Sequence, residues 1–226
     1  MERIPSGIPG FDELVQGGFN KESVNLIAGG PGCGKTIFCL QFLWNGLTKY
    51  NEKCLFVSFE EEIDDVKKDA LSMGWDFSPY EQEGRMKFIF VNPYIYQDIH
   101  YQILEDILAT DAQRVVFDSV SVYGLFLHSS FEVRKDLIDL AIALKKKRNC
   151  VTLLVGESVE SSHSKLSRFD VEEFLADSII QITFESMGGQ FSRSLMVRKM
   201  RRTKNNENPH PLEISDKGIV IHSMLT

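Results

Sequence analysis

"SVNLIAGGPGCGKTIF" occupies residues 23–38 and joins three features that belong to one kind of fold. The apolar run "SVNLIAG" (23–29) is continuous rather than alternating, as in a strand buried on both faces. A glycine-rich turn follows, and "TIFCLQFLWNGLTKY" (36–50) then takes the spacing of an apolar helix. The junction "GGPGCGKT" (29–36) matches G-x-x-x-x-G-K-[ST], with Gly29, Gly34, Lys35 and Thr36 as its fixed letters. Average residue usage yields that pattern by chance roughly once per hundred chains of this size. Here it also stands where its mechanism requires, after a strand and at the opening of a helix. Gly29, Gly30, Pro31, Gly32, Cys33 and Gly34 form a turn whose backbone N–H groups (Pro31 has none) converge on phosphate oxygens. Lys35, Thr36 and Ile37 open the helix; Lys35 is expected to reach the β- and γ-phosphates and Thr36 to ligate Mg²⁺. Similar glycines occur in dinucleotide loops, but the Lys-Thr pair points to a nucleoside triphosphate. The competing reading is a glycine-rich turn without a ligand.

Outward from this site, four more apolar runs read as buried strands: "KCLFVSF" (53–59), "KFIFV" (87–91), "RVVFDS" (114–119) and "VTLLVGE" (151–157). Helical patterns fill the gaps over 62–74, 99–110 and 134–148. Strand–helix alternation with crossovers of this length implies parallel strands in right-handed βαβ units. The last third differs. "DSIIQITFE", "SMGGQ" and "FSRSLMVRKMR" read as a hairpin around Gly188–Gly189, and "LEIS" and "GIVIH" as a second antiparallel pair. The expected fold class is therefore α/β, a mostly parallel twisted sheet flanked by helices and ending in antiparallel β-hairpins. No repeat, low-complexity stretch or linker divides the chain, so residues 1–226 are expected to form one domain.

Composition narrows the setting. Hydrophobic residues make up 43% of the chain and charged residues 25%, enough for a sizeable core. The start has no long apolar run, and no stretch approaches the 18 apolar residues of a membrane helix, so no membrane insertion is expected. Cys33, Cys39, Cys54 and Cys150 are scattered without a CxxC pair, which suits reduced thiols in a cytoplasm better than zinc or a disulfide framework. The formal net charge of -7 argues against indiscriminate nucleic-acid coating.

Two further sets of acids suit triphosphate chemistry. Asp118 ends the very apolar strand "VVFD", where a P-loop protein holds its second metal-orienting carboxylate, and Ser119 beside it is placed to sense a γ-phosphate. The alternative is an aspartate that caps the following turn. "VSFEEEIDD" brings Glu60 and Glu61 to another strand end, where a carboxylate can accept a proton from attacking water. The plainer account is that these acids fill the first turn of a helix, as Glu62, Asp64 and Asp65 are expected to do.

"SGIPGFDELVQGGF…SVNLIAGGPGCGKT", "FVSFEE", "VVFDSVS", "DVEEFLADSII" and "KMRRT…HPLEI" together resemble the KaiC-like branch of the RecA/RadA superfamily, in order, from Gly7 to about Ile221. The clock protein of that family carries two such domains in tandem; this chain carries one, and so resembles the stand-alone ATPases common in archaea. The resemblance implies a RecA-like P-loop core that binds and hydrolyses Mg-ATP, releasing ADP, between the subunits of a homo-oligomer, often a hexameric ring. It implies that the glutamate pair, here Glu60 and Glu61, is catalytic. It also implies that a K-x-R motif, here Lys199 and Arg201, reaches the neighbouring subunit's ATP. The phosphorylated Ser-Thr pair of the clock protein has no counterpart in "GESVESSHSKLSRF", so autophosphorylation is not expected. Cys33 replaces the usual Thr or Ser of the loop; only its backbone is needed there, but the exchange is expected to expose a thiol.

This gives a role to the basic stretch "VRKMRRTK" (197–204) in an otherwise acidic chain. Residues two apart on a strand share a face, which would set Lys199 and Arg201 together and Arg198 and Arg202 opposite. A solvated edge is the competing reading for the stretch and the better account of Arg202 and Lys204. The segments 121–132 and 158–173 are expected to be loops, with Tyr123, Phe126, His128, His163, Lys165 and Arg168 available to a protein partner or to single-stranded nucleic acid. Besides an ATPase, two alternatives stand: a nucleotide-dependent scaffold or signalling module with little turnover, and a recombinase-like DNA-binding regulator.

Overall fold

The computed structural model describes residues 2–92, 109–125, 129–158, 169, 172–184 and 192–223. A short ribbon begins the chain, formed by β1 (Arg3–Ile4) and β2 (Phe19–Asn20) around the single helical turn α1 (Phe11–Leu14). The P-loop unit follows as β3 (Ser23–Gly29) and α2 (Lys35–Lys49), then β4 (Cys54–Ser58), α3 (Ile63–Ser72), α4 (Ser78–Gln82) and β5 (Met86–Phe90). Next come β6 (Arg114–Asp118), α5 (Val120–Leu125), α6 (Ser130–Lys146), β7 (Val151–Glu157) and α7 (Glu172–Leu175). The chain closes with β8 (Ser178–Thr183), β9 (Arg193–Met200), β10 (His210–Ser215) and β11 (Gly218–Ile221).

Among the described residues the main sheet runs β11-β10-β9-β8-β3-β7-β6-β4-β5. From β8 to β5 every pairing is parallel, and from β8 to β11 every pairing is antiparallel. That is the division expected from the sequence. The tip expected at Gly188–Gly189 and almost all of the helix expected over 99–110 lie outside the described residues. α6 starts at Ser130, four residues before the expected start, because Ser129 caps it: its Oγ accepts from Glu132 N at 3.2 Å. The S-x-x-E spacing at 129–132 carried that signal. The described residues of the segment 121–132, expected as a loop, are mostly helix for the same reason and because α5 extends to Leu125.

Each face of the sheet is covered. α2 packs Phe38 and Phe42 with Ile27 into one apolar cluster, and α6 packs Val133, Leu137 and Leu144 with Val24, Leu26 and Ala28 into the other. The alternate residues of β3 thus feed opposite cores, as the two-residue period of a strand dictates. Among the described residues no helix is long and apolar enough to cross a membrane.

The largest fully buried side chain among the described residues is a charged one. Arg114, at the start of β6, is fully buried. Its Nε donates to Glu52 Oε2 at 2.5 Å, Nη1 to Phe42 O at 2.8 Å and Nη2 to Pro5 O at 2.8 Å. The guanidinium also lies 4.4 Å from the Phe42 ring centroid and 5.0 Å from that of Tyr50. It binds the N-terminal segment, α2 and β6 together, and α2 makes room with Gly46, where a Cβ would stand 2.5 Å from Arg114 Cδ. Arg114→Met strands Glu52 and these carbonyls and is expected to cost roughly 3–5 kcal/mol. Glu52→Gln keeps an acceptor for Nε and should cost clearly less. Urea unfolding of both variants checks this; equal losses would mean that the arginine is not the tie.

Candidate functional site

The carboxyl ends of β4, β6 and β7 and the P-loop after β3 open onto one cleft of about 180 Å³. Crevices at strand ends are where open α/β sheets bind ligands. The cleft brings together Pro31, Gly32, Lys35, Thr36, Glu60, Glu61, Asp118 and Ser119, and Phe56, Ser58, Val66 and Glu157 complete its wall.

The loop's path is sterically fixed. A Cβ on Gly29 would stand 2.3 Å from Ile182 O on β8, so only glycine lets the chain leave the sheet there. Gly34 precedes α2 with φ 105, a left-handed conformation that side chains disfavour. Lys35 Nζ donates to Gly30 O at 2.8 Å, folding the lysine back over the loop. Ile37 packs against the main apolar cluster and seats the first turn of α2. Cys33 is fully buried, so the exposed thiol expected from sequence is not found. Burial pushes that thiol up, against the pull of Lys35.

Thr36 Oγ1 donates to Asp118 Oδ2 at 2.7 Å, which joins the P-loop helix to the end of β6. A hydroxyl and a carboxylate at that separation form an oxygen donor set suited to a hard cation. Among the described residues no group of three or more His, Cys, Asp or Glu could hold a metal. A pair of this kind therefore fits an ion that arrives with phosphate oxygens, as Mg²⁺ does. Ser119 Oγ accepts from Val122 N at 3.3 Å at the start of α5. Ser58 Oγ donates to Glu61 O at 2.5 Å and accepts from Glu61 N at 3.0 Å, forming the turn that carries Glu60 and Glu61 into the cleft wall. Phe59 N donates to Asp118 O at 2.7 Å and keeps this turn beside β6.

Lys199 and Arg201 are not in this cleft. Lys199 pairs with Ile179, which in turn pairs with Leu26, and Arg201 N bonds Asp177 O beside Val24. Arg201 therefore lies at the start of β3 and Lys199 level with its middle, whereas the P-loop leaves from its far end. Arg201 lies beyond β9, which ends at Met200, and the register shift at Ile179/Ile180 leaves Arg198 as an extra residue before Lys199. Both nonetheless turn to one segment: Lys199 Nζ donates to Glu173 O and Ala176 O, and Arg201 pairs with Asp177. Of the partner-contact candidates, Phe126, His128, His163, Lys165 and Arg168 lie outside the described residues, as does the side chain of Tyr123.

A family model described as "ATPase: KaiC" matches residues 4–226. The chain belongs to the KaiC family. This KaiC-family chain is 35% identical to a UPF0273 protein of Thermotoga maritima, over 98% of this chain and 96% of that one. It is 30% identical to the circadian clock oscillator protein KaiC of Thermostichus vulcanus, over 96% of this chain but 43% of that longer protein. A crystal structure of a KaiC-like protein from Pyrococcus horikoshii superposes with a TM-score of 0.85 at 35% identity, covering 98% of this chain and 99% of that one. The sheet is thus a KaiC-like version of the RecA fold.

A cleft acid and a cation bound to the P-loop were missed in the sequence. Glu157 ends β7 opposite Gly29, and its strand-end position was the available signal. Arg193, at the start of β9, donates to Gly32 O at 3.2 Å and lies 4.7 Å from the Phe184 ring centroid. No spacing rule in the sequence brings it to the P-loop.

The acids of the cleft repel one another. Burial, with added repulsion from Glu60 and Glu61, pushes the Asp118 carboxyl up to about 6, although the Thr36 hydrogen bond and Lys35 oppose this. Burial, then Asp69, Glu60 and Asp65, push Glu61 above its ordinary value. Between the ordinary Asp value and about 6, folded Asp118 holds a proton that the unfolded chain has released. Its contribution to stability therefore falls as pH rises through that window, by about 3 kcal/mol. Asp118→Asn is expected to raise the melting temperature of the nucleotide-free protein by several degrees at pH 8, with a markedly smaller gain at pH 5. A shift of the same size at both pH values, read by thermal unfolding, would rule out ionisation as the cause.

Proposed function

We propose that this protein binds Mg-ATP in the cleft and hydrolyses it at the interfaces of a homo-oligomeric ring, with Lys199 and Arg201 of each subunit serving the ATP of its neighbour. The observation that carries the reading is the meeting of the P-loop, the Thr36–Asp118 pair and Glu60–Glu61 in one cleft. Lys35 and the loop N–H groups hold the phosphates, and Thr36 and Asp118 hold Mg²⁺, which neutralises phosphate charge when bound. Glu60 orients the attacking water and accepts its proton, and Glu61 supports it from the same turn.

The far placement of the two cations supports action in trans. Leu26 and Gly29 are three residues apart on β3, and β9 is two strands away from it. At ordinary spacings that sets Lys199 on the order of 14 Å from the loop's origin, beyond the reach of its side chain. In a head-to-tail ring such a surface meets the next subunit instead. Four unpaired cysteines are in keeping with a cytoplasmic setting.

The test is hydrolysis per subunit across protein concentration for the wild type, Lys199→Ala, Glu60→Gln and an equal mixture of the two variants. Glu60→Gln should lose roughly a hundredfold or more. The mixture should recover activity that neither variant has, because about a quarter of its interfaces pair an intact Glu60 with an intact neighbouring Lys199. A rate indifferent to Lys199 and to concentration would mean a self-contained site. Tight ATP binding without turnover would point to the scaffold role.

A further inference from the structure

Asp177 lies between α7 and β8 and faces more positive charge than it neutralises. Its Oδ1 accepts from Lys145 Nζ on α6 at 3.0 Å and from Arg201 Nη1 at 3.3 Å. Its Oδ2 accepts from Val24 N at the root of β3 at 3.1 Å, and its backbone N donates to Val24 O at 2.7 Å. Lys199 Nζ is anchored next to it, on Ala176 O at 2.8 Å and Glu173 O at 3.1 Å. Three cations thus gather around one carboxylate. Burial and then the Arg201 charge lower the Lys199 pKa, with Asp177 acting in the opposite direction.

We propose that Asp177 is a positioning residue that holds Arg201 against its own subunit, beside the backbone-anchored Lys199, until a neighbouring subunit's triphosphate takes the cations over. The inference rests on the trans role proposed above for the two cations. The exchange is chemically ordered. A triphosphate offers more negative charge than one carboxylate, and a guanidinium binds phosphate through two parallel hydrogen bonds. The resting contact is also the weaker kind, since the Arg201 side chain is 48% exposed where it meets Asp177. When Arg201 leaves, Lys145 and Val24 N still satisfy the carboxylate, so release strands no buried charge. Asp177 therefore competes with the neighbour's nucleotide, while Lys145 competes with Arg201 for Asp177. Removing each has the opposite effect.

The experiment is the half-saturating Mg-ATP concentration for hydrolysis, measured beside kcat at one protein concentration. Asp177→Asn, which keeps a hydrogen-bonding side chain at Val24, is expected to lower it roughly two- to fivefold, the range of a partly exposed ion pair. Lys145→Met leaves Asp177 to Arg201 alone and is expected to raise it by a similar factor. Lys146→Met removes the same charge from an exposed neighbouring position and serves as the control for the general field. Circular dichroism melts establish that each variant is folded, and Lys145→Met keeps the test alive should Asp177→Asn not fold. Shifts in the same direction, no shifts, or a Lys146→Met effect equal to that of Lys145→Met would overturn the proposal while the trans role stands. Wild-type hydrolysis indifferent to Lys199→Ala would overturn both.

Discussion

A strand with no solvent-facing residue must be bracketed by strands on both edges and by helices on both faces, and β3 is such a strand. Its seven residues are all buried, between β7 and β8 in the sheet and between the clusters around α2 and α6 above and below. The chemistry of the molecule follows from that confinement. Because β3, β7, β6 and β4 run parallel in register, Gly29 stands opposite Glu157 and Ser58 opposite Asp118. The P-loop, the metal-orienting acid and the glutamate turn therefore finish at one level of the sheet.

That level is electrostatically costly. Glu60, Glu61, Asp118 and Glu157 share a wall with a single lysine in the P-loop, and the raised Asp118 is the local sign of the expense. The arrangement makes physical sense for a site that receives a metal and a polyanion together, because bound cations reverse the local charge. Stability is recovered elsewhere, in the two apolar clusters and in the buried, hydrogen-bonded Arg114.

Strong periodicity made the sheet legible. β3 and β7 have the bounds read from their apolar runs, and the change to antiparallel pairing after β8 was visible in the hairpin pattern. The two-residue strands β1 and β2 and the single turns α1 and α4 are too short for any period to register. In the site, Lys35, Thr36 and Asp118 were readable because motif and strand end coincide. Arg193 and Asp177 were not, since each acquires its role from a partner 161 or 24 residues away in the chain. Lys199 and Arg201 turn to one segment although β9 ends between them at Met200, and the bulge at Arg198 changes only what precedes Lys199.

The burial of all four cysteines has a practical side. Cys33, Cys39 and Cys54 are pushed up by burial, and Cys150 is pushed up to about 11. Reagents that need an accessible thiolate find almost none on the folded surface. The wild-type chain is thus already a silent background for site-specific labelling. A single cysteine placed on an exposed helix position would carry a dye or spin label without removal of any native thiol, and unfolding would be marked by the sudden appearance of four more reactive groups.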